Sequence, residues 1–484
     1  MGLYTSRVVL GALGEDDFGT YGAVGGVVAL FSVLTGSLSS AISRFLSTEM
    51  GKKDGRMGAV FSTTVFIQLV TALLVFVLAE VLGYWFLNAR MNIPPGRLPA
   101  ANWVLQCSIL MFVVNMLSVP YNAAIIAHEK MEAFAYISIA EALLQLGAAL
   151  TTRYAGADKL KLYAVLMLGT ALVVRVLYGV YARRYFPECR FSFKGVFRPI
   201  VREMGAFAGW TFLGNAASVA NAQGINLLFN LFFGVKVNAA RDVTVKLEGN
   251  LTRFINNITT AINPQINKNY ASGNHAYMHE LTCKGAKYSY YLFLFFALPI
   301  LLETSALLHL WLGKVPEHTV AFVRVALLYS LFVAVGTPFV TAVFATGKVK
   351  TYEIVVSATN ILALPLTYLA FKLHASPVSA YWLLAGAAFG VLVERVVFTC
   401  IQTGLPLRKI WTDTLLPVLK VSAVAVLLPL ALYFFQAPST ARMLEVVLGA
   451  FAATAAAVYF LGTTEGERTA LNQAIAKRIK QPKL

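Results

Sequence analysis

The chain is short of charge. Of its 484 residues only 13% are Asp, Glu, Lys or Arg, while 58% are hydrophobic. That charged share is about half that of an ordinary soluble domain. Too few polar residues remain to cover a globular surface, which excludes a water-soluble fold of this size. Cysteine is equally scarce. Cys107, Cys189, Cys283 and Cys400 lie far apart, with neither CxxC nor Cys/His spacing. That argues against a metal module and reads as reduced thiols facing core or lipid. The first residues lack the basic stretch and cleavage site of a secretory signal. Catalytic signatures are missing as well: His128-Glu129-Lys130 is not HExxH, and there is no GxSxG, Walker A or clustered acid pair. The hydrophilic connections are too short for a nucleotide-binding or catalytic domain. The sequence therefore predicts a protein that is not an enzyme, needs no cofactor and is not driven by ATP hydrolysis on its own chain.

Apolar segments are what the chain has in abundance. They fall at 19–41, 57–82, 102–126, 133–152, 161–182, 206–234, 241–265, 287–309, 320–345, 352–373, 378–401, 415–436 and 441–462. Each is long enough to cross a bilayer. The expected fold is all-α: a polytopic transmembrane bundle of about 13 helices, with 1–12 as the tail of one more. The net charge of +17 then reports sidedness rather than nucleic-acid binding. About 23 of the 40 basic residues fall in one alternate set of connections, from Arg44, Lys52 and Arg56 through Arg183, Arg198 and Lys348 to the 463–484 tail. The positive-inside bias puts that set, the C-terminus included, in the cytoplasm. The basic tail is expected at the anionic inner leaflet.

The sequence also repeats. VPYNAAIIAHEK at 119–130 aligns without gaps with TPFVTAVFATGK at 337–348, matching Pro120 to Pro338 and Lys130 to Lys348. At nearly the same offset, LGALGEDDFGTY (10–21) answers LFFGVKVNAAR (231–241), and EMGKKD (49–54) answers YASGN (270–274). Two six-helix lobes are expected, 1–196 and 203–405, related by an axis along the membrane normal. Two additional helices follow over 413–462, then the tail. By the same repeat, the first helix is expected to begin upstream of Met1.

Polar residues at membrane depth are costly and tend to face a cavity or a partner helix. Asp242, Lys246, Gly249, Arg253, Asn256, Thr260 and Asn263 recur every three or four residues and share one helix face. That face is expected to line a hydrated, cationic cleft. The alternative is helix–helix adhesion with Asp242 and Glu248 neutralising the cations. Asn215, Ser218, Asn221, Gln223, Asn226 and Asn230 mark the preceding helix. Smaller stripes are Ser32/Thr35/Gly36/Ser39/Ser43, Asn115/Ser118/Asn122 and Ser138/Glu141/Gln145. Arg7, Arg44, Arg175, Glu394 and Arg395 are further charges in or near apolar segments. Pro120 and Pro338 are candidate bending points for alternating access.

LYTSRVVLGALGEDDFGTYGAVGGVVALFSVL, SRFLSTEMGKKD, VNAARDVTVKLEGNLTRFINNITTAINPQINKNYASGN, LWLGKVPEHTVAFVR and ATGKVKTYEIV resemble the polysaccharide (O-antigen or capsule repeat-unit) flippases. These belong to the multidrug/oligosaccharidyl-lipid/polysaccharide exporter superfamily, and the resemblance is to the version found in Bacteroides-like bacteria. It implies transport of an undecaprenyl-pyrophosphate-linked oligosaccharide across the bacterial inner membrane. By the family pattern, Arg7, Arg44 and Arg253 would meet the headgroup, followed by Arg241, Lys246 and Asn256. Asp242, Glu141 and Glu394 are the candidates for ion coupling. Membrane lipids, a glycan polymerase and chain-length proteins are the expected partners. A peptidoglycan-precursor flippase or multidrug antiporter of the superfamily, and a membrane-embedded glycan polymerase or ligase, are the alternatives.

Overall fold

A computed structural model describes residues 8–469 except 10, 30, 53, 54, 90–92, 94, 157 and 314, and also residues 472 and 473. The described residues are helical almost throughout, with no strand among them. The helices are α1 (Glu15–Ala29), α2 (Ser32–Met50), α3 (Met57–Ala89), α4 (Leu98–Ala127), α5 (Met131–Tyr154), α6 (Lys159–Tyr185) and α7 (Arg198–Ala271). They continue with α8 (His275–Leu302), α9 (Thr304–Leu312), α10 (Thr319–Thr346), α11 (Lys350–Lys372), α12 (Ser379–Thr403), α13 (Leu407–Phe435) and α14 (Thr440–Gly462). Long side chains such as Leu73, Val81, Tyr136, Leu362, Ile401 and Leu427 are more than half exposed. Only lipid makes so broad an apolar surface stable, and ten of these helices are long and apolar enough to cross a membrane. The chain is an all-α, multi-pass membrane protein.

Several boundaries differ from the sequence reading. The segment expected at 19–41 falls in two helices, α1 ending at Ala29 and α2 beginning at Ser32. The segment expected at 287–309 begins at His275, because Asn274 caps α8 by accepting from the Tyr277 amide at 3.3 Å, and it ends where Glu303 separates α8 from α9. Polar residues had hidden α8's first three turns from an apolar reading.

The segments expected at 206–234 and 241–265 form the 74-residue α7. Straight, it would run roughly 110 Å, several times the bilayer core. It does not run straight, because Gly234 has φ 75° and ψ −172°. Only glycine takes that conformation without strain. The Arg241 guanidinium then reaches back to the Ala222 carbonyl at 2.9 Å and to Asn226 Oδ1 at 3.2 Å. On a straight helix, residues 222 and 241 would stand about 28 Å apart. The chain therefore folds back at Gly234.

The chain divides into two compact units, Met1–Asn215 and Ala216–Leu484. In the first, α4 and α5 both pack on α6; in the second, α10 and α11 both pack on α12. Local backbone repeats too. Gly14 (φ 80°) precedes α1 as Gly234 precedes the second arm of α7, and Glu129 (φ 60°) follows α4 as Gly347 (φ 77°) follows α10. Pro120 lies buried inside α4 and Pro338 buried inside α10. Aromatic side chains fill both cores: Phe61 meets Tyr121 edge-on at 5.2 Å in the first unit, and Phe229 meets Phe322 at 5.5 Å in the second.

Candidate functional site

The second arm of α7 carries the polar stripe expected from the sequence. Asp242, Lys246, Gly249, Asn250, Arg253 and Asn256 are all exposed. Leu251, Ile255, Thr259 and Ile266 are buried on the opposite side. Among the described residues, neither Lys246 nor Arg253 has a carboxylate within ion-pair distance, Asp242 included. Glu248, offered above as a neutralising partner, turns instead to α10, where its Oε1 accepts from Ser330 Oγ at 2.9 Å. Deeper on the same helix, Asn263 Oδ1 accepts from Thr341 Oγ1 at 2.8 Å. Lys246 and Arg253 are two turns, about 10 Å, apart. Two flexible cationic side chains at that spacing can close on one multiply charged anion.

A cavity adjoins this stripe, turned about 100° round the helix. It holds about 260 Å³ and lies between the two arms of α7 and helices α10, α11 and α12. Asn221, Arg241, Glu248, Tyr329, Asn360 and Tyr381 give it a polar lining. Asn221 Oδ1 is buried there without a hydrogen-bond partner. The volume suits a small group or a few waters rather than a whole glycolipid. Sequence reasoning missed this cavity, because Tyr329, Asn360 and Tyr381 lie on three other helices and none interrupts its apolar run.

The remaining candidates are dispersed. Arg7 lies outside the described residues. Arg44 is half-buried on α2, its guanidinium 4.8 Å from the Phe45 ring centroid and 5.1 Å from that of Phe207. Such stacking desolvates and orients the cation. Arg241 braces the α7 bend, as described. Glu141 accepts from Gln145 Nε2 at 3.1 Å on its own helix. Glu394 accepts from Thr359 Oγ1 through Oε1, while its Oε2 is buried without a partner. Beside the α2 stripe, Ser37 Oγ, which is not one of its residues, accepts from Asn215 Nδ2 at 2.8 Å, an interhelical hydrogen bond of the adhesive kind. Among the described residues, no group of three His, Cys, Asp or Glu could hold a metal ion.

Comparison with known proteins adds the family. The model of the polysaccharide biosynthesis protein family matches residues 3–269, more than half of the chain. The chain belongs to that family. A Bacillus subtilis (strain 168) relative, "Uncharacterized membrane protein EpsK", is 20% identical over 276 residues, which cover 57% of this chain. The chain spans about half the length of that curated relative, 54%. In fold, this family member is similar to a multidrug resistance MATE family transporter of the MOP superfamily, solved in an outward-facing conformation. The TM-score is 0.68 at 13% identity, over 85% of this chain and 91% of that one. It is also similar to the MATE transporter ClbM in complex with Rb+, with a TM-score of 0.60 at 16% identity over 84% and 94%. These likenesses show the fold: the multi-helix architecture of MOP-superfamily transporters.

Proposed function

We propose that this protein flips an undecaprenyl-pyrophosphate-linked oligosaccharide repeat unit across the bacterial inner membrane, by alternating access, for O-antigen or capsular polysaccharide synthesis. The observation that carries this reading is the exposed face of α7, where Lys246 and Arg253 stand without carboxylate partners among the described residues. Such cations at membrane depth are costly unless they meet water or an anion. A diphosphate supplies the anion, and its several charged oxygens can engage both cations at once in charge-assisted hydrogen bonds. Asn250 and Asn256 on the same face offer hydrogen bonds to sugar hydroxyls. The polyprenyl tail stays in the bilayer, so only the headgroup needs a polar route. Membership of a polysaccharide biosynthesis family supports a glycan cargo, and Arg44, stacked on the Phe45 and Phe207 rings, is the headgroup candidate of the first unit. Pro120 and Pro338 are the bending points, and Asp242, Glu141 and Glu394 are the carboxylates available for ion coupling. The C-terminus lies in the cytoplasm, where a polymerase and chain-length proteins work in the same sequence of reactions.

Two related readings share the architecture. A peptidoglycan-precursor flippase would use the same cations, and cargo chemistry alone separates it. A multidrug antiporter for organic cations is disfavoured, because Lys246 and Arg253 would repel its cargo. The test is charge reversal. With Arg253→Glu in vesicles loaded with a lipid-linked oligosaccharide, flipping should fall at least tenfold while membrane insertion is unchanged. Undiminished flipping would remove Arg253, and with it this reading of the face.

A further inference from the structure

A second polar cavity lies far along the chain from the α7 stripe. It holds about 360 Å³ where the N-terminal half of α8, the start of α13 and the residues after α14 converge. Lys284, Lys287, Lys409, Thr412, Thr464 and Glu467 line it. Its acids are engaged. Glu280 pairs with Lys284 at 2.6 Å, Asp413 accepts from Thr412 Oγ1 at 2.8 Å, and Glu467 Oε2 pairs with Lys287 at 2.8 Å. The Lys287 side chain is only 5% exposed. A buried ammonium of this kind requires an anion beside it. Lys409, by contrast, has no ion-pair partner among the described residues.

Glu467 reaches Lys287 from a short helical turn. Its carboxylate accepts from the Thr464 amide at 2.8 Å while its own amide donates to Thr464 Oγ1 at 3.4 Å, a reciprocal cap at the start of the tail. Glu467 Oε1 is buried and 3.8 Å from Lys284 Nζ, and the Tyr288 hydroxyl also lies against this carboxylate. Two lysines thus face a single carboxylate that satisfies one of them well, with a third lysine and open volume alongside.

We propose that this cavity binds a phosphate group, which takes the place of the Glu467 carboxylate between Lys284 and Lys287 and recruits Lys409. A phosphate brings more acceptor oxygens than a carboxylate, enough for three ammonium groups and the Thr412 and Thr464 hydroxyls. An anionic lipid headgroup is the source favoured by position. Gly462 ends α14 and Lys409 lies in the first turn of α13, so the cavity opens at the ends of two spans. Leu461 lines it, and Phe460 and Trp411 are exposed beside it, as side chains at headgroup depth tend to be. When the lipid phosphate enters, Glu467 is released and the capped start of the basic tail loses its anchor on α8.

Native mass spectrometry of the detergent-purified full chain tests this, with phosphatidylglycerol and phosphatidylcholine added in parallel and inorganic phosphate as a third arm. The expected result is preferential retention of phosphatidylglycerol, about fivefold weaker in Lys409→Gln and about fivefold tighter in Glu467→Gln, one charge being removed from the site or from its competitor. Lys409→Gln leaves the Lys287–Glu467 pair intact, so it tests binding without disturbing the fold. Inorganic phosphate that binds Glu467→Gln more tightly than wild type, with no lipid preference, would support the phosphate pocket and assign it a soluble ligand. Equal retention of both lipids by all three proteins, with no phosphate binding, overturns the proposal.

Discussion

Two groups of cations in the Ala216–Leu484 unit follow opposite rules. Lys287 is buried, Arg442 is partly buried, and both are held by carboxylates. Arg442 Nε lies 3.0 Å from Glu303 Oε1, its Nη2 3.2 Å from Glu303 Oε2, and its guanidinium 4.6 Å from the Tyr433 ring centroid. Lys246 and Arg253 are exposed and have no such partner among the described residues. Carboxylates meet Arg442 and Lys287 where they join helices. Among the described residues none meets the pair on the exposed face of α7. The difference separates charges that hold the bundle together from charges kept available to something outside the chain.

Stability measurements sharpen that contrast. Arg442→Ala should be the most damaging change, costing about 3–5 kcal/mol, because Glu303 is 2% exposed and would be left as an uncompensated buried anion. A large fall in thermal midpoint in detergent is the expected reading; an unchanged midpoint would place the pair among the inert ones. The Lys287–Glu467 contact should respond to acid. Burial alone would raise the Glu467 carboxyl, but the Lys287 ammonium and the Thr464 amide outweigh it and hold the group below the ordinary 4.5. A depressed folded-state value means the contribution is full above that pH and is lost as pH falls below it. Wild type should therefore lose more thermal stability below pH 4.5 than Glu467→Gln does, and parallel curves would refute the assignment. The smallest effect is expected from Arg253→Ala, within about 0.5 kcal/mol of wild type. A multi-kilocalorie loss there would mean the face is structural after all.

The helices and the α7 stripe were legible in the sequence, because both are periodicities along one segment. The gap between the segments ending at 234 and beginning at 241 already contained the bend. The ion pairs were not legible: Arg442 and Glu303 are 139 residues apart, Lys287 and Glu467 are 180 apart, and only packing brings them together. The alternative role of Glu248, neutralising the α7 cations, fails for a related reason. Its neighbours in sequence are the cations of α7, but two positions along a helix turn a side chain by about 200°, which gives it to Ser330 rather than Lys246. Arg44 could be named as a charge near an apolar segment, yet its ring partner Phe207 belongs to a helix that begins at Arg198.

Gly234 has a consequence for the cavity beside it. One residue with positive φ, fastened by Arg241 to Ala222 and Asn226, turns a single run of helix into two arms that double back on each other. Straightening it would carry Arg241 and Glu248 away from Asn221 and Ala222 and leave the space of about 260 Å³ without two of its walls. A single backbone torsion thus decides whether that polar chamber exists at all.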